Sequence, residues 1–315
     1  MIKIEKVTNL LSKYPLEELS MLTGKMLGDG GLSIQDNRRP RFRYTHCITD
    51  FEWSQYCFEQ LQNIMPLNPP IYKKTLDPRI QKGYTESFYV QSLTCELNDY
   101  FQSIWYQDRV KVIPFDLLEK TLTPECIAWW YQDDGHLRIS QGKLRKIILS
   151  TDSFTNLENT KLIELIKLQY GLCFSLDGQN RLILYDQIQI YYFLRLIEEH
   201  VHPSMSRKLF LPPPKETFAD KRTTIYLPAS LLIKKPTKEI HNALERLPRV
   251  IDIVNNKKTY FPVVKEQLEK QLKLNEIHKG YQVTLTTPQL NSIHIVQSMT
   301  GMQLSLIVKM CFNIP

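Results

Sequence analysis

One feature constrains this chain more than any other: a long internal repeat. Residues 15–31 read PLEELSMLTGKMLGDGG, and residues 124–135 read PECIAWWYQDDG. Each is an apolar helix closed by an acid and a glycine, and the two acids stand about 105 residues apart. In the first stretch Leu16, Leu19, Leu22, Met26 and Leu27 recur at helical spacing. A strand then follows in which Arg41, Arg43 and Thr45 alternate with Phe42, Tyr44 and His46, giving one cationic face. An aromatic amphipathic helix is predicted at 50–64, strands near 71–76 and 85–93, and a short helix at 95–107. After the second stretch come strands at 136–140 and 145–151, a helix over 155–170, a hairpin at 172–185 and a helix at 187–200. A period this long is not a solenoid repeat. It predicts an α+β chain of two related αββαββα halves with antiparallel sheets, packed as a pseudo-dimer.

Composition narrows the class. The chain has 315 residues and is 43% apolar, enough for about two domains with real cores. It contains no apolar run of about eighteen residues, the length a membrane helix needs. The opening MIKIEKVTNLLSKYP has no apolar signal region, so a cytoplasmic setting is expected, beside the nucleoid in a bacterial or phage context. Six scattered cysteines without a CxxC pair read as reduced thiols, not as a disulfide framework or a zinc site. Charge is uneven. Residues 1–220 hold 26 Lys+Arg against 27 Asp+Glu, whereas residues 221–315 hold 14 against 6. The tail is therefore built to meet a polyanion, and the rest must use locally placed cations to do so.

The repeated helix ends carry the chemistry. Aligned on the acid and glycine they read LTGKMLGDG (Leu22–Gly30) and IAWWYQDDG (Ile127–Gly135). Small residues at Gly24 and Gly28 let two helices approach closely, and Trp129 in place of a small residue predicts looser packing on the second helix. Asp29 and Asp134 then bring two carboxylates to the foot of the helix pair. Such a pair repels itself unless divalent cations are shared, and oxygen-only ligands suit Mg²⁺ and two-metal phosphodiester hydrolysis. A single Asp-Gly is an ordinary helix end and turn; two copies with matching surroundings are not.

Both nonapeptides resemble the LAGLIDADG motif, and the resemblance covers about residues 15–210. Lys111-Val112-Ile113-Pro114, the stretch ILSTDSFTNLENTKLIELI, and Pro203-Ser204-Met205-Ser206-Arg207-Lys208-Leu209 resemble further signatures of the single-chain, two-motif, intron-encoded homing endonucleases. The resemblance implies a monomeric nuclease core cutting a long specific site in double-stranded DNA. Its catalytic residues would be Asp29, Asp134, Lys111 and Lys208. The metal, Mg²⁺ with Mn²⁺ as a substitute, would be held by Asp29 and Asp134 and the backbone carbonyls of Gly28 and Asp133. DNA would lie on the strands, with Arg38, Arg39, Arg41, Arg43, Lys73, Lys74, Arg79 and Lys82 as candidates in the first half. Arg138, Lys143, Arg145, Lys146 and Arg181 are the candidates in the second. Two other activities stay open: a sequence-specific regulator that kept the fold, and an RNA splicing maturase.

Boundaries follow from the same reading: a first half over 1–112, a second over 113–211, and a Pro-rich linker over 212–222. A mostly helical, basic DNA-binding extension occupies 223–315. Within it a strand at Gln282–Leu285, a helix start at Thr287-Pro288 and a break at Thr300-Gly301 resemble a ribbon-helix-helix unit, a class whose chains dimerise through their strands. Thr223–Pro228 starts similarly, so two such copies could pair within one chain, or the extension could dimerise.

Overall fold

In the computed structural model, residues 2–271 and 277–314 are described. The first half contains α1 (Ile2–Lys13), α2 (Leu16–Leu27), β1 (Gly31–Ser33), β2 (Arg41–Cys47), α3 (Phe51–Leu61), β3 (Ile71–Leu76), β4 (Tyr84–Gln91) and α4 (Glu96–Trp105). A two-residue hairpin, β5 (Tyr106–Gln107) and β6 (Val110–Lys111), leads out of it. The second half contains α5 (Phe115–Thr121), α6 (Pro124–Asp134), β7 (Gly135–Ser140), β8 (Lys143–Leu149), α7 (Asn156–Tyr170), β9 (Ser175–Leu176), β10 (Leu182–Leu184) and α8 (Gln187–Ile197). The sheets run β1-β2-β4-β3 and β7-β8-β10-β9. The same strand order in each half, with every pairing antiparallel, is the internal symmetry that the repeat predicts.

Local chemistry sets the element ends. β2 alternates exposed and buried along its whole length, burying Phe42, Tyr44 and His46 beneath an outward row of Arg41, Arg43 and Thr45. α7 opens on a reciprocal capping box, with Thr155 and Glu158 satisfying each other's backbone N–H groups, and closes on Gly171 at φ +74°. Glu158 also accepts the Ile113 N–H at 2.8 Å, which ties α7 to the Lys-Val-Ile-Pro segment.

The tail is β11 (Lys221–Pro228), α9 (Pro236–Leu244), α10 (Leu247–Asn255), α11 (Lys257–Gln271), β12 (His278–Leu285), α12 (Thr287–Thr300) and α13 (Leu304–Asn313). Residues 211–220 have no helix or strand, so β11 begins two residues inside the expected linker. β11 and β12 pair antiparallel with each other over eight residues. The ribbon is thus complete within one chain, and strand pairing requires no second copy.

The tail is not a loosely tethered module. Its α11 and α12 pack on α8 of the second half. Tyr260 stacks on Tyr192, and the Arg195 guanidinium lies 4.0 Å from the Tyr260 ring centre. Arg195 Nη1 donates to the Val254 carbonyl at 2.6 Å. One hydrophobic core runs through both halves and the tail.

Candidate active site

α2 and α6 pack against each other through their glycines. A Cβ on Gly24 would lie 2.4 Å from the Cys126 carbonyl oxygen, and one on Gly28 would lie 2.6 Å from Asp133 Cβ. The expected loosening at Trp129 does not occur. Trp129 sets its Cβ against Gly24 and carries its ring sideways, edge-on to Trp53 at 5.2 Å, fully buried.

Asp29 and Asp134 stand at the adjoining ends of these helices. Asp29 is half-exposed, and its N–H donates to Asp133 Oδ2 at 3.2 Å. Partial burial pushes the Asp29 carboxyl up to about 7, reinforced by the negative charges of Asp133 and Asp134 against the pull of Lys25 and Lys208. Asp134 is pushed up to about 6 by burial and by Asp133, with Lys111 and Lys208 opposing. Two carboxylates are thus crowded together with too little positive charge around them.

The two lysines flank the pair. Lys111 Nζ donates to the carbonyl of Gly30, the last residue of the first motif, at 2.8 Å, and burial pushes its pKa down to about 8. Lys208 Nζ donates to the carbonyls of Tyr131, Gln132 and Asp133, the last at 3.0 Å, and so caps the end of the second motif helix. Burial lowers its pKa as well. The segment bearing Lys208 is anchored to α6 by the Tyr131 hydroxyl, which donates to the Lys208 carbonyl at 2.7 Å.

Asp133 takes a role that the sequence reading missed. Its carboxylate is fully buried at the helix interface. Lys25, itself fully buried, donates to both of its oxygens at 2.6 and 2.8 Å, and Trp53 Nε1 donates to Oδ1 at 2.9 Å. Burial alone would raise the Asp133 pKa, but the Lys25 ammonium beside it holds the carboxyl well below the usual range. His46 Nε2 lies 2.6 Å from Lys25 Nζ; burial and that cation keep the ring neutral, so Nε2 accepts. Asp29, His46 and Asp133 have the spacing of a metal triad. Lys25 Nζ already sits at hydrogen-bonding distance from two of them, so the cation of this cluster is the lysine. Lys25 was visible in the sequence only as a charge inside an apolar helix stripe, and His46 only as the buried partner of an alternating strand. The carbonyl of Asp133, the expected metal ligand, accepts from Lys208 Nζ at 3.0 Å.

Strand register sorts the DNA candidates, because opposed residues of an antiparallel pair share a face. Arg41 lies opposite Ser33, Arg43 opposite Gln91, and Lys73 opposite Ser87, so these three cations share the outer face of the first sheet. Arg38, Arg39 and Arg41 line a cleft of about 410 Å³ with Ser33 and Gln91. In the second sheet Arg138 opposes Lys146 and Lys143 opposes Ser140, while Arg145 is the extra residue of the irregularity beside them. Five candidates depart from the expectation. Lys74 opposes Glu86 on the other face, with its ammonium 3.6 Å from the centre of the Tyr84 ring. Arg39 is paired with Asp99, Arg79 forks onto Asp77, and Arg181 onto Asp177. Lys82 stands 4.0 Å from Glu86. A cation already facing its own carboxylate offers less to a phosphate.

The chain is similar in sequence and fold to known proteins. An uncharacterized protein of Methanocaldococcus jannaschii is 28% identical over 210 residues, spanning 62% of this chain and 76% of its own length. The probable intron-encoded endonuclease 1 of Wickerhamomyces canadensis is 26% identical over 216 residues, 65% of this chain and 87% of that one. The solved structure of the homing endonuclease I-WcaI bound to its DNA recognition sequence matches 66% of this chain and 92% of its own, with a TM-score of 0.54 at 18% identity, which shows a shared fold. Residues 19–190 match the LAGLIDADG DNA endonuclease family, and this chain belongs to that family.

Proposed function

We propose that this chain is a site-specific endonuclease that hydrolyses phosphodiester bonds of double-stranded DNA with divalent metal at Asp29 and Asp134. The observation that carries the proposal is the pair of carboxylates at adjoining helix ends, each with its pKa raised by burial and by negative neighbours. Oxygen donors with surplus negative charge fit Mg²⁺, and Mn²⁺ as a substitute. Bound there, the metals would supply Lewis-acid charge and an activated water at each scissile phosphate.

The chain's own residues do the rest. Asp29 and Asp134 would hold the metals, helped by the carbonyls of Gly28 and Asp133. Lys111 and Lys208, one beside each motif, place an ammonium near each phosphate, where it can stabilise developing charge. The outward row of Arg41, Arg43 and Lys73, matched by Arg138, Lys143, Arg145 and Lys146, lays the two sheets along the duplex, with strands presenting side chains to the major groove.

Asp29→Asn and Asp134→Asn test this directly. Each removes a ligand charge at nearly constant volume and should slow double-strand cleavage by about 10²–10³-fold or more, while the dissociation constant for the same duplex changes only a few-fold. Cleavage by either variant at the wild-type rate with Mg²⁺ rejects the site. Specific binding without cleavage by the wild-type chain, with Mg²⁺ or Mn²⁺, would make it a regulator instead.

A further inference from the structure

The tail carries a surface that the nuclease site does not use. In the β11–β12 ribbon, Ile225, Leu227, Tyr281, Val283 and Leu285 are buried. They rest on helices crossed between the copies: α13 packs under β11 and α9 under β12. The opposite face is open. Register places Arg222 across from Thr284, Thr224 across from Gln282, and Tyr226 across from Gly280. Arg222 Nη2 donates to Gln282 Oε1 at 2.7 Å, which holds the two long side chains over the middle of the ribbon. A Cβ on Gly280 would lie 3.2 Å from the Tyr226 ring, so glycine lets that half-exposed ring lie across the partner strand. Neither strand contains an Asp or Glu, and Arg222 gives the open face its positive charge; Lys221 and Lys279 stand in register with the inner face at the ribbon's ends.

We propose that this outer face is a second DNA-reading surface, held at a fixed distance from the cleavage site on the flank of the second half. The proposal rests on the DNA-cutting reading above. Three observations carry it. The face is polar and acid-free, and it sits on the part of the chain that holds the whole charge excess, which complements a polyanion. A two-stranded ribbon fits the major groove of B-form DNA, where Arg, Gln and Thr have distinct base partners. The deep, narrow major groove of duplex RNA would not admit it. Finally, the ribbon belongs to a tail that is packed on the second half through α11 and α12 on α8. Residues Pro212–Lys215 and His294, Gln297 and Ser298 of α12 line one cleft with Gly142, Lys143 and Leu144, at the turn of the β7–β8 hairpin. β7 starts next to Asp134, and six strand residues carry the chain about 20 Å from it. The tail therefore meets the duplex outside the second half's own contacts, on one side only.

The test uses the full chain and a pool of randomised DNA duplexes. Duplexes selected by the wild-type protein should share a core block around the cut and a second block on one flank. Arg222→Ala, Tyr226→Ala and Gln282→Ala should each weaken binding of a selected duplex about tenfold and level the base preference of the flank block, while the core block and the cut position stay. Thr224→Glu, which leaves the apolar face untouched, should do the same by repulsion; thermal melting verifies that each variant is folded. A flank block that survives all four substitutions overturns the proposal, as does a wild-type selection with no block outside the core. Competition by duplex RNA as strong as by DNA overturns it too. A flank block lost in the variants, from a wild-type protein that binds but never cuts, would uphold the ribbon and reject the nuclease.

Discussion

Asp29 and Asp134 are placed where the folded chain resists their charges. Their pKa values, pushed up to about 7 and about 6, exceed the ordinary carboxylate value near 4 that applies when the chain unfolds. Between about pH 4 and pH 7 the folded state therefore binds more protons than the unfolded state. The stability linked to these groups is present at low pH and is lost as pH rises through the folded values. Metal held at this pair, as proposed, would reverse this, because an ion bound only by the folded chain stabilises it by mass action. Metal-free protein should thus melt at a lower temperature at pH 8 than at pH 5, and Mg²⁺ should raise the melting temperature at pH 8 but hardly at pH 5. Glu125, raised to about 7 by burial and by Glu17 and Glu18, adds a similar pH slope of its own. The comparison that decides is therefore wild type against the Asp29→Asn/Asp134→Asn double variant, which should lose the Mg²⁺ effect. A Mg²⁺ effect that persists in the double variant places the ion elsewhere. At this scale Asp29, Asp134, Lys111 and Lys208 were legible because each sits at a fixed motif position. Lys25, His46, Trp53 and Asp133 were not, because 108 residues separate Lys25 from Asp133 and only the folded helix pair joins them.

Between elements, the contact that most needs its partner is the Lys25–Asp133 pair across α2 and α6. Removing one member of a buried pair leaves an uncompensated charge, which typically costs about 3–5 kcal/mol, whereas replacing both by apolar groups is often neutral or stabilising. Lys25→Met should accordingly lower the unfolding free energy by about 3–5 kcal/mol in urea titrations, and Lys25→Met/Asp133→Leu should recover only part of it, because Trp53 Nε1 and the Asp29 N–H then lose their acceptor. A single-variant loss below about 1 kcal/mol would mean that water reaches Asp133 and that the pair is not sealed. The elements themselves were largely readable, since alternation along β2 and helical spacing along α2 follow from burying one face. The misreadings have local causes. The hairpin at 172–185 shortens to two and three strand residues. Asp177 accepts from the N–H groups of Gln179 and Arg181, and Asn180 adopts φ +61°, so a broad turn consumes the middle. The helix begun at Gln187 tightens to a 3-10 turn at Glu198–His200, and its backbone polar groups then serve α6: the His200 carbonyl accepts from Gln132 Nε2 at 3.2 Å.

Across the whole molecule, three consecutive prolines at 212–214 suggest a break between a nuclease core and a tail. They do break the secondary structure, but a break in backbone regularity is not a break in the core. α8 is the element that decides. One of its faces belongs to the second half, and another is covered by α11 and α12, where Tyr192 meets Tyr260 and Phe261. A Cβ on Gly301 would lie 2.6 Å from Tyr191, so the end of α12 is fitted closely to the same helix. No sequence pattern separates these two kinds of burial, since an all-round apolar helix reads the same whatever covers it. Ending the chain after Leu211 would uncover Tyr191 and Tyr192 and strip Arg195 of its Val254 acceptor. Each large apolar side chain returned to water costs about 1.5–3 kcal/mol, so the loss should reach several kcal/mol in all. The truncated chain should therefore melt well below the full protein, bind a dye of exposed apolar surface and aggregate on concentration. Charged substitutions at Tyr191 and Tyr192 in the truncated chain should restore part of its solubility without restoring its stability. A truncated chain that stays monomeric, with the melting temperature of the whole protein, would show that the α8 interface contributes little. The ribbon would then be free to move relative to Asp29 and Asp134, and the fixed spacing of the proposed flank contact would be lost with it.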